Sequence, residues 1–326
     1  MRDGSFSTDI FERYRRSEQA FVLGLMEMVV NGVSTRKVTH ITEALCGTSF
    51  SKSTVSRLTK ALDEPVSHFL NRKIEFGYPF VIVDAMFTKV RTEKRVVSKA
   101  LLIASGIRND GYREVLGLAI GDAESFVTWD ELLKSLKDRS LSNVDFVISD
   151  DHRGLRDAIA KNFVGATWQR CQVHVMRNLL GHSPTKERAA VAAAAKLVFA
   201  APDRAEAERR HAEFQLRFAK TAPKACACLE GAFDDALAVL ALPEEYRRRL
   251  KSTNMQERLN EEIRRREKVI RIFPNDQAAI RMVGALLAEK NDDWQERAYF
   301  DMDEYHEWKS ATVLEPPAAQ RVRKAA

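Results

Sequence analysis

The stretch from Tyr78 to Cys171 carries one order of elements, and that order restricts the fold more than any other feature of the chain. PFVIVDAMFTKVR, VVSKALLIASGI and YREVLGLAIGD are apolar and β-branched, with turn signals such as Asn109-Asp110-Gly111 between them. They predict three consecutive strands joined by hairpins. Glu124 to Lys137 has helical spacing, with Leu132, Leu133 and Leu136 apolar. NVDFVISD follows as a fourth strand, HRGLRDAIAKNF as a helix and GATWQRC as a short fifth strand. Three antiparallel strands, then helix, strand, helix and strand, predict an α/β class with a mixed sheet.

That is the order of a ribonuclease H-like core, although other mixed sheets share parts of it. The flanks read as helical. Phe21, Leu25, Met28 and Val29 have helical spacing, with Gly32 as the stop; a second helix carries Val38, Ile41 and Leu45 and closes at Gly47. A third, capped by Ser51 or Ser53, buries Val55, Leu58 and Leu62 and exposes Lys52, Ser53, Thr54, Ser56, Arg57 and Lys60. Two short helices, the second polar and basic, form a helix-turn-helix pattern in which Arg57 and Lys60 would meet DNA. A plain helical bundle is the alternative. From Thr185 to Leu250 the chain is rich in Ala, Glu and Arg, with turns near Pro202, Pro223 and Pro243, and reads as an all-helical insertion. Helical periodicity returns from Asn254 to Val269 and from Gln277 to Ala288. The expected division is a helical DNA-binding region over 1–75, the first part of the core over 76–182, the insertion over 183–250, the final core helices over 251–292 and an acidic then basic tail over 293–326. From Pro316 on, the composition predicts disorder.

No run offers the ~20 strongly apolar residues of a bilayer helix, so a membrane partner is not expected. The amino terminus, MRDGSFSTDIFERYRR, lacks an apolar signal core. Four scattered cysteines fit a reducing compartment, and the expected location is the cytoplasm. Fifty-two basic and 46 acidic residues leave a net charge of +6, which decides little by itself. The clustering is more telling. Arg247, Arg248, Arg249, Lys251, Arg258, Arg264, Arg265, Arg266, Lys268 and Arg271 lie close in sequence, ahead of an acidic stretch from Glu289 to Glu307. Such a cluster suits a polyanion; a solvated, salt-bridged helix face is the alternative.

Asp84 ends the apolar run of the first strand and Asp150 that of the fourth. In the proposed order these strands are neighbours, so the two carboxylates meet at one sheet edge. Clustered carboxylates repel unless a cation sits between them, and Mg²⁺ prefers oxygen ligands. Either aspartate alone could be a turn or cap residue. Asp151 competes with Asp150 but can instead cap the following helix, whereas Asp150 continues the Phe146, Ile148 alternation. Glu257 is a third acid. It lies about 200° around its helix from Leu259, and it faces the sheet edge only if the helix crosses there at its first turn. Its capping-box spacing from Asn254 offers a local explanation. Cys171 and His174 have metal-pair spacing, but Cys226, Cys228 and His182 do not complete a convincing zinc set.

In VDAMFTKVR, VISDDHRGLRDAI, WQRCQVHVMRN and STNMQERLNEEIRRREKVIRIFPN the chain resembles the Mutator-type transposases of bacterial insertion sequences, from about Ser34 to Trp294. The resemblance implies a ribonuclease H-like catalytic domain with an all-helical insertion before the last acid. It implies a DDE triad of Asp84, Asp150 and Glu257, and excision and integration of an element by phosphodiester hydrolysis and strand transfer. It also implies partners: double-stranded DNA, the terminal inverted repeats, target DNA and a second copy on DNA. On this reading Asp84 bridges two Mg²⁺ (or Mn²⁺) ions, and Asp150 and Glu257 each complete one shell. Arg258, Arg264 and Arg265 hold phosphates, and Trp168 stacks on an unpaired base. Cys171, His174 and Trp168 stand at the entry of the insertion and help hold DNA ends. Phe87 replaces a more usual Tyr, and the chain begins late against its family. Two rival readings are therefore a truncated, non-catalytic DNA-binding derivative acting as a repressor, and a plain nuclease that never joins strands.

Overall fold

Side-chain alternation along the strands assigns each residue to one face of the sheet, and so positions every group discussed below. The computed structural model describes residues 24–25, 27–46 and 52–314. Its sheet has five strands in the order β3-β2-β1-β4-β5: β1 (Phe80–Thr92), β2 (Arg95–Ile107), β3 (Arg113–Gly121), β4 (Phe146–Ser149) and β5 (Thr167–Arg170). β1 and β2 pair antiparallel from Phe80↔Ile107 to Thr92↔Arg95. They are joined by Glu93 and Lys94, both at positive φ, as a tight two-residue hairpin requires. β3 is antiparallel to β2, whereas β4 is parallel to β1 and β5 to β4, so the sheet is mixed as expected.

On one face, Val81, Val83, Ala100, Leu102 and Val147 pack on α4 (Phe126–Asp138) and α5 (Arg153–Asn162) through Trp129, Leu133, Leu155 and Ile159. Before them come α1 (Thr35–Cys46), α2 (Lys52–Thr59) and α3 (Asp63–Asn71). The other face carries Phe80, Ile82, Met86, Leu101, Ile103, Phe146 and Ile148. It is covered by α11 (Glu244–Leu250), α12 (Asn254–Ile270), α13 (Asp276–Gln295) and α14 (Asp303–Leu314). Between β5 and α11 lie α6 (Gln172–Gly181), α7 (Arg188–Phe199), α8 (Arg204–Phe218), α9 (Pro223–Glu230) and α10 (Phe233–Ala236). These surround a separate core that includes Val175, Leu179, Val191, Phe214 and Leu229.

The structure bears on the tail and on the basic cluster. The acidic stretch assigned to a tail is structured to Leu314, and Trp294, Phe300, Met302 and Tyr305 in it are buried in the main core. Its acidic residues occupy the outer positions, which is why composition alone suggested a tail. Residues 47–51 lie outside the described residues, so the Gly47 and Ser51 caps and the turn of the helix-turn-helix pattern fall there, as do Phe21 and the segment after Pro316. On α2 and the following turn, Arg57 and Lys60 are exposed. The basic cluster is partly an ion-paired face: Glu262 binds Arg265 at 2.6 Å and Arg266 at 2.7 Å.

Gly111 joins the hairpin to the carboxy-terminal segment. Its φ is +87°, and a Cβ there would stand 2.0 Å from the carbonyl oxygen of Phe300. Its own carbonyl accepts hydrogen bonds from the backbone of Tyr299 at 2.8 Å and Phe300 at 3.2 Å. Gly111→Ala is therefore expected to cost about 2–4 kcal/mol, from left-handed strain plus a backbone clash. The midpoint of urea unfolding measures it; an unchanged midpoint would refute this account of the turn.

Candidate active site

Asp84 falls in the middle of β1, on the face that α12 covers, because it continues the Phe80, Ile82 alternation. It is 8% exposed. The β1–β4 register aligns Ile82 with Ile148, so extending it by two residues sets Asp150 beside Asp84. Asp150 lies just past the end of β4, half-buried, and its Oδ1 accepts from the backbone N of His152 at 3.3 Å. Asp151 is occupied elsewhere: its carboxylate pairs with Arg156 and Arg170, each at 2.9 Å, and does not cap α5.

α12 and the segment that follows it run lengthwise along β1 and are tied to it at three levels. Asn260 Nδ2 donates to Asp84 Oδ2 at 2.8 Å, Thr88 Oγ1 donates to Glu267, and the backbone N of Phe273 donates to Lys89 O at 2.8 Å. In its first turn, Gln256 accepts from Ser105 Oγ of β2 at 2.8 Å. One residue on, about 100° around the helix, Glu257 points the other way, towards α6. Its Oε1 stands 3.9 Å from His174 Nε2 and 3.9 Å from Arg177 Nη2. The capping-box explanation fails: Thr253 is the N-cap residue, and no side chain caps the helix.

Cys171 is the N-cap residue of α6 and is fully buried. Its sulfur accepts from Thr253 N and Thr253 Oγ1, both at 3.4 Å. Burial would raise the Cys171 thiol, but hydrogen bonds from His174 and Thr253 outweigh it and lower its pKa. His174 is raised by its hydrogen bond to Cys171, against burial, with help from Asp84 and Asp150. The pair thus links Thr253, through the Cys171 sulfur, to Glu257, which His174 faces.

Burial, then the charge of Asp150, pushes the Asp84 carboxyl up to about 7; Glu257 adds a smaller push and His174 opposes it. Among the described residues no three His, Cys, Asp or Glu side chains converge closely enough to enclose one ion as they stand. The donor set nonetheless suits a hard cation. The acids influencing Asp84 are carboxylates, and the buried Oδ1 of Asn260 beside them has no hydrogen-bond partner.

Sequence reasoning missed Glu124, Gln256 and Asn260. Glu124 precedes α4, accepts from Trp129 Nε1 at 3.1 Å and lies 3.6 Å from His152 Nδ1. Burial and then Asp150 raise its pKa. A carboxylate directly after the third strand is the signal that marks it. Asn260 was readable as one helical turn beyond Glu257. Trp168 stands apart from the acids. It pairs with Val147 and so projects on the opposite face from Asp150. Its Nε1 donates to Ser149 Oγ at 2.8 Å, and Arg156 covers its ring at 4.5 Å. Arg258 and Arg264 are exposed on α12, and Arg265 is paired with Glu262.

The family description "Transposase, Mutator family" matches residues 1–297. The chain is 45% identical over 308 residues to the transposase for insertion sequence element IS256 in transposon Tn4001 of Staphylococcus aureus, covering 93% of this chain and 78% of that one. It is 43% identical over 313 residues to the transposase for insertion sequence element ISRM5 of Rhizobium meliloti, covering 96% and 79%. It is 37% identical over 325 residues to that for IS1081 of Mycobacterium tuberculosis, covering 98% and 78%.

The raised carboxyl of Asp84 has a consequence for stability. Below pH ~4 it is protonated in both folded and unfolded chains. As pH rises from 4 to 7, the unfolded chain releases this proton first, so the folded state loses stability across that window. Asp84→Asn is expected to flatten the pH dependence and to stabilise the metal-free protein at pH 8 by up to about 4 kcal/mol. Urea midpoints between pH 4.5 and 8 test it; parallel profiles for the two proteins would contradict it.

Proposed function

The chain belongs to the Mutator family of transposases, and from that premise we propose that it cuts and joins DNA with Asp84, Asp150 and Glu257. The observation that supports this best is the bond from Asn260 of α12 to Asp84 of β1, one turn beyond Glu257. We read the sheet as a ribonuclease H-like core over 76–182 and 251–292, interrupted by a helical insertion over 183–250 and preceded by a DNA-binding region over 1–75. No described helix is long and apolar enough to cross a membrane, and the proposed setting is the cytoplasm, on double-stranded DNA, with two copies pairing the terminal inverted repeats before joining them to target DNA.

Asp84, Asp150 and Glu257 would hold two Mg²⁺ or Mn²⁺ ions. Such ions, when bound, make a water or 3′-hydroxyl a better nucleophile and neutralise charge on the leaving oxygen. The chain's own residues supply the rest. Asn260 fixes one oxygen of Asp84. The His152 backbone fixes Asp150, and the Glu124–His152 contact steadies that turn. Arg177 and His174 hold the Glu257 carboxylate near the two aspartates. Arg258 extends from the same turn to meet DNA phosphate.

Single Asp84→Ala, Asp150→Ala and Glu257→Ala proteins should each lose cleavage of an end-bearing DNA by about 10³-fold or more, with DNA binding kept within a few fold. Calorimetric Mn²⁺ binding should be lost with Asp84. Cleavage retained by Asp84→Ala would end the assignment. DNA binding without metal-dependent nicking by wild type would favour the non-catalytic repressor, and hydrolysis without joining the plain nuclease.

Cys171 acts in this reading as a brace. Its sulfur holds Thr253, the residue from which α12 starts. Cys171→Ala is expected to lower the cleavage rate about tenfold, by analogy with the loss of a supporting residue behind a ligand, while Cys171→Ser, which keeps an acceptor, recovers part of it. Equal rates in wild type and Cys171→Ala would remove this role.

A further inference from the structure

Beside the first turn of α12, on the side away from α6, a cleft of about 610 Å³ opens between α11, α12, α13 and the start of β3. Arg113, Arg248, Arg249 and Arg258 line it together with Trp294 and Tyr299. Four guanidinium groups from three separate elements thus face one space. Lys290 adds a fifth cation, although Asp293 pairs with it at 2.7 Å. The carboxylate in the wall, Glu262, is already engaged by Arg265 and Arg266. Among the described residues, neither Arg248 nor Arg258 has a carboxylate partner, and the buried Nε of Arg113 has no hydrogen-bond partner.

The aromatic rings hold these cations in place. The Arg113 guanidinium lies 4.8 Å from the Trp294 ring and 4.7 Å from that of Tyr299. Arg249 lies 4.5 Å from Tyr299 and also donates to its carbonyl oxygen. A guanidinium on a ring keeps its N–H edge free for an oxyanion. The rings themselves are occupied, which disfavours base stacking. Like charges crowded in a cleft repel, and an anion offering several oxygens along a line would relieve that repulsion.

We propose that this cleft binds consecutive backbone phosphates of the DNA strand flanking the bond to be cut, without reading base sequence. This rests on the DNA-cleaving reading above. The cleft and Glu257 share the first turn of α12, so a strand leaving the cleft need only cross this turn to reach the acids.

The test is fluorescence anisotropy of the full chain with a short DNA duplex over a series of salt concentrations. Arg248→Ala/Arg258→Ala is compared with Lys134→Ala/Lys220→Ala, which removes the same charge from exposed positions away from the cleft. Neither arginine has a partner to lose, so the urea midpoints should match wild type and verify folding. The arginine pair should weaken binding about tenfold and reduce the slope of log affinity against log salt by about 2, near 0.9 per phosphate contact. The loss should be the same for duplexes of unrelated sequence, and the lysine pair should fall short of it clearly. Equal effects of the two pairs, or an unchanged slope for the arginine pair, would overturn the proposal. Binding is read without cleavage. A wild type that binds with the expected salt dependence but does not cut would count against the catalytic reading alone, whereas a cutting enzyme with an unchanged arginine-pair slope would count against the cleft alone.

Discussion

The buried carboxylate of Asp84 is the constraint around which the rest of the structure is arranged. Its neighbours on the same strand face are Phe80, Ile82 and Met86, all within the main core, so packing alone would favour an apolar residue there. A carboxylate at this depth loses hydration, and the cost is offset only by partners. Among the described residues Asn260 donates to Asp84 and His174 favours its charge, while the nearby carboxylates of Asp150 and Glu257 work against it. Groups held so unfavourably by burial and like charge cluster at functional sites.

The helix that covers it is held correspondingly well. Asn260 and Glu267 tie α12 to β1, Phe273 ties the segment after it, and Gln256 ties the helix to β2. Its start is also fixed from outside the sheet, through Thr253 and Cys171. The same junction closes the helical block between β5 and α12: the backbone N of Gln172, at its entry, donates to Lys251 O at its exit, at 2.9 Å. With entry and exit stapled together and a core of its own, that block can sit between β5 and α12 without moving either. The Cys171–His174 pair thus serves two ends of one joint. Cys171 secures the return of the chain, and His174 meets the carboxylate that the returning helix presents.

What was legible in the sequence follows from period. Strand order, register and the pairing of Asp84 with Asp150 all rest on a two-residue alternation that the apolar residues spell out. Glu257 was legible only through family resemblance. Helical spacing correctly placed it off the Met255, Leu259, Ile263 stripe, but the direction of α12 over the sheet depends on Gln256, Asn260 and Glu267, polar residues whose partners lie more than 150 positions away. The parity of Trp168 was not legible from its closeness in sequence to Cys171: pairing with Val147 turns it to the face opposite Asp150. The packing of the carboxy-terminal segment was not legible because its acidic residues dominate the composition while Trp294, Phe300 and Tyr305 carry it.

Net charge conceals the electrostatic pattern for a similar reason. Many of the arginines are locally matched: Arg265 and Arg266 to Glu262, Arg156 and Arg170 to Asp151, Arg281 to Asp63. Around the first turn of α12 the matching fails on both sides. Towards α6 and the strand ends lies an excess of carboxylates, and across the helix lies an excess of guanidinium groups. Neither could relax by pairing with the other, because the helix and its buried Met255 and Leu259 stand between them. A ligand that settles both must bring positive charge to one side and negative charge to the other in a single bound unit. A DNA strand with divalent cations at one of its phosphates has that pattern: the cations would fall among the acids and the following phosphates among the arginines.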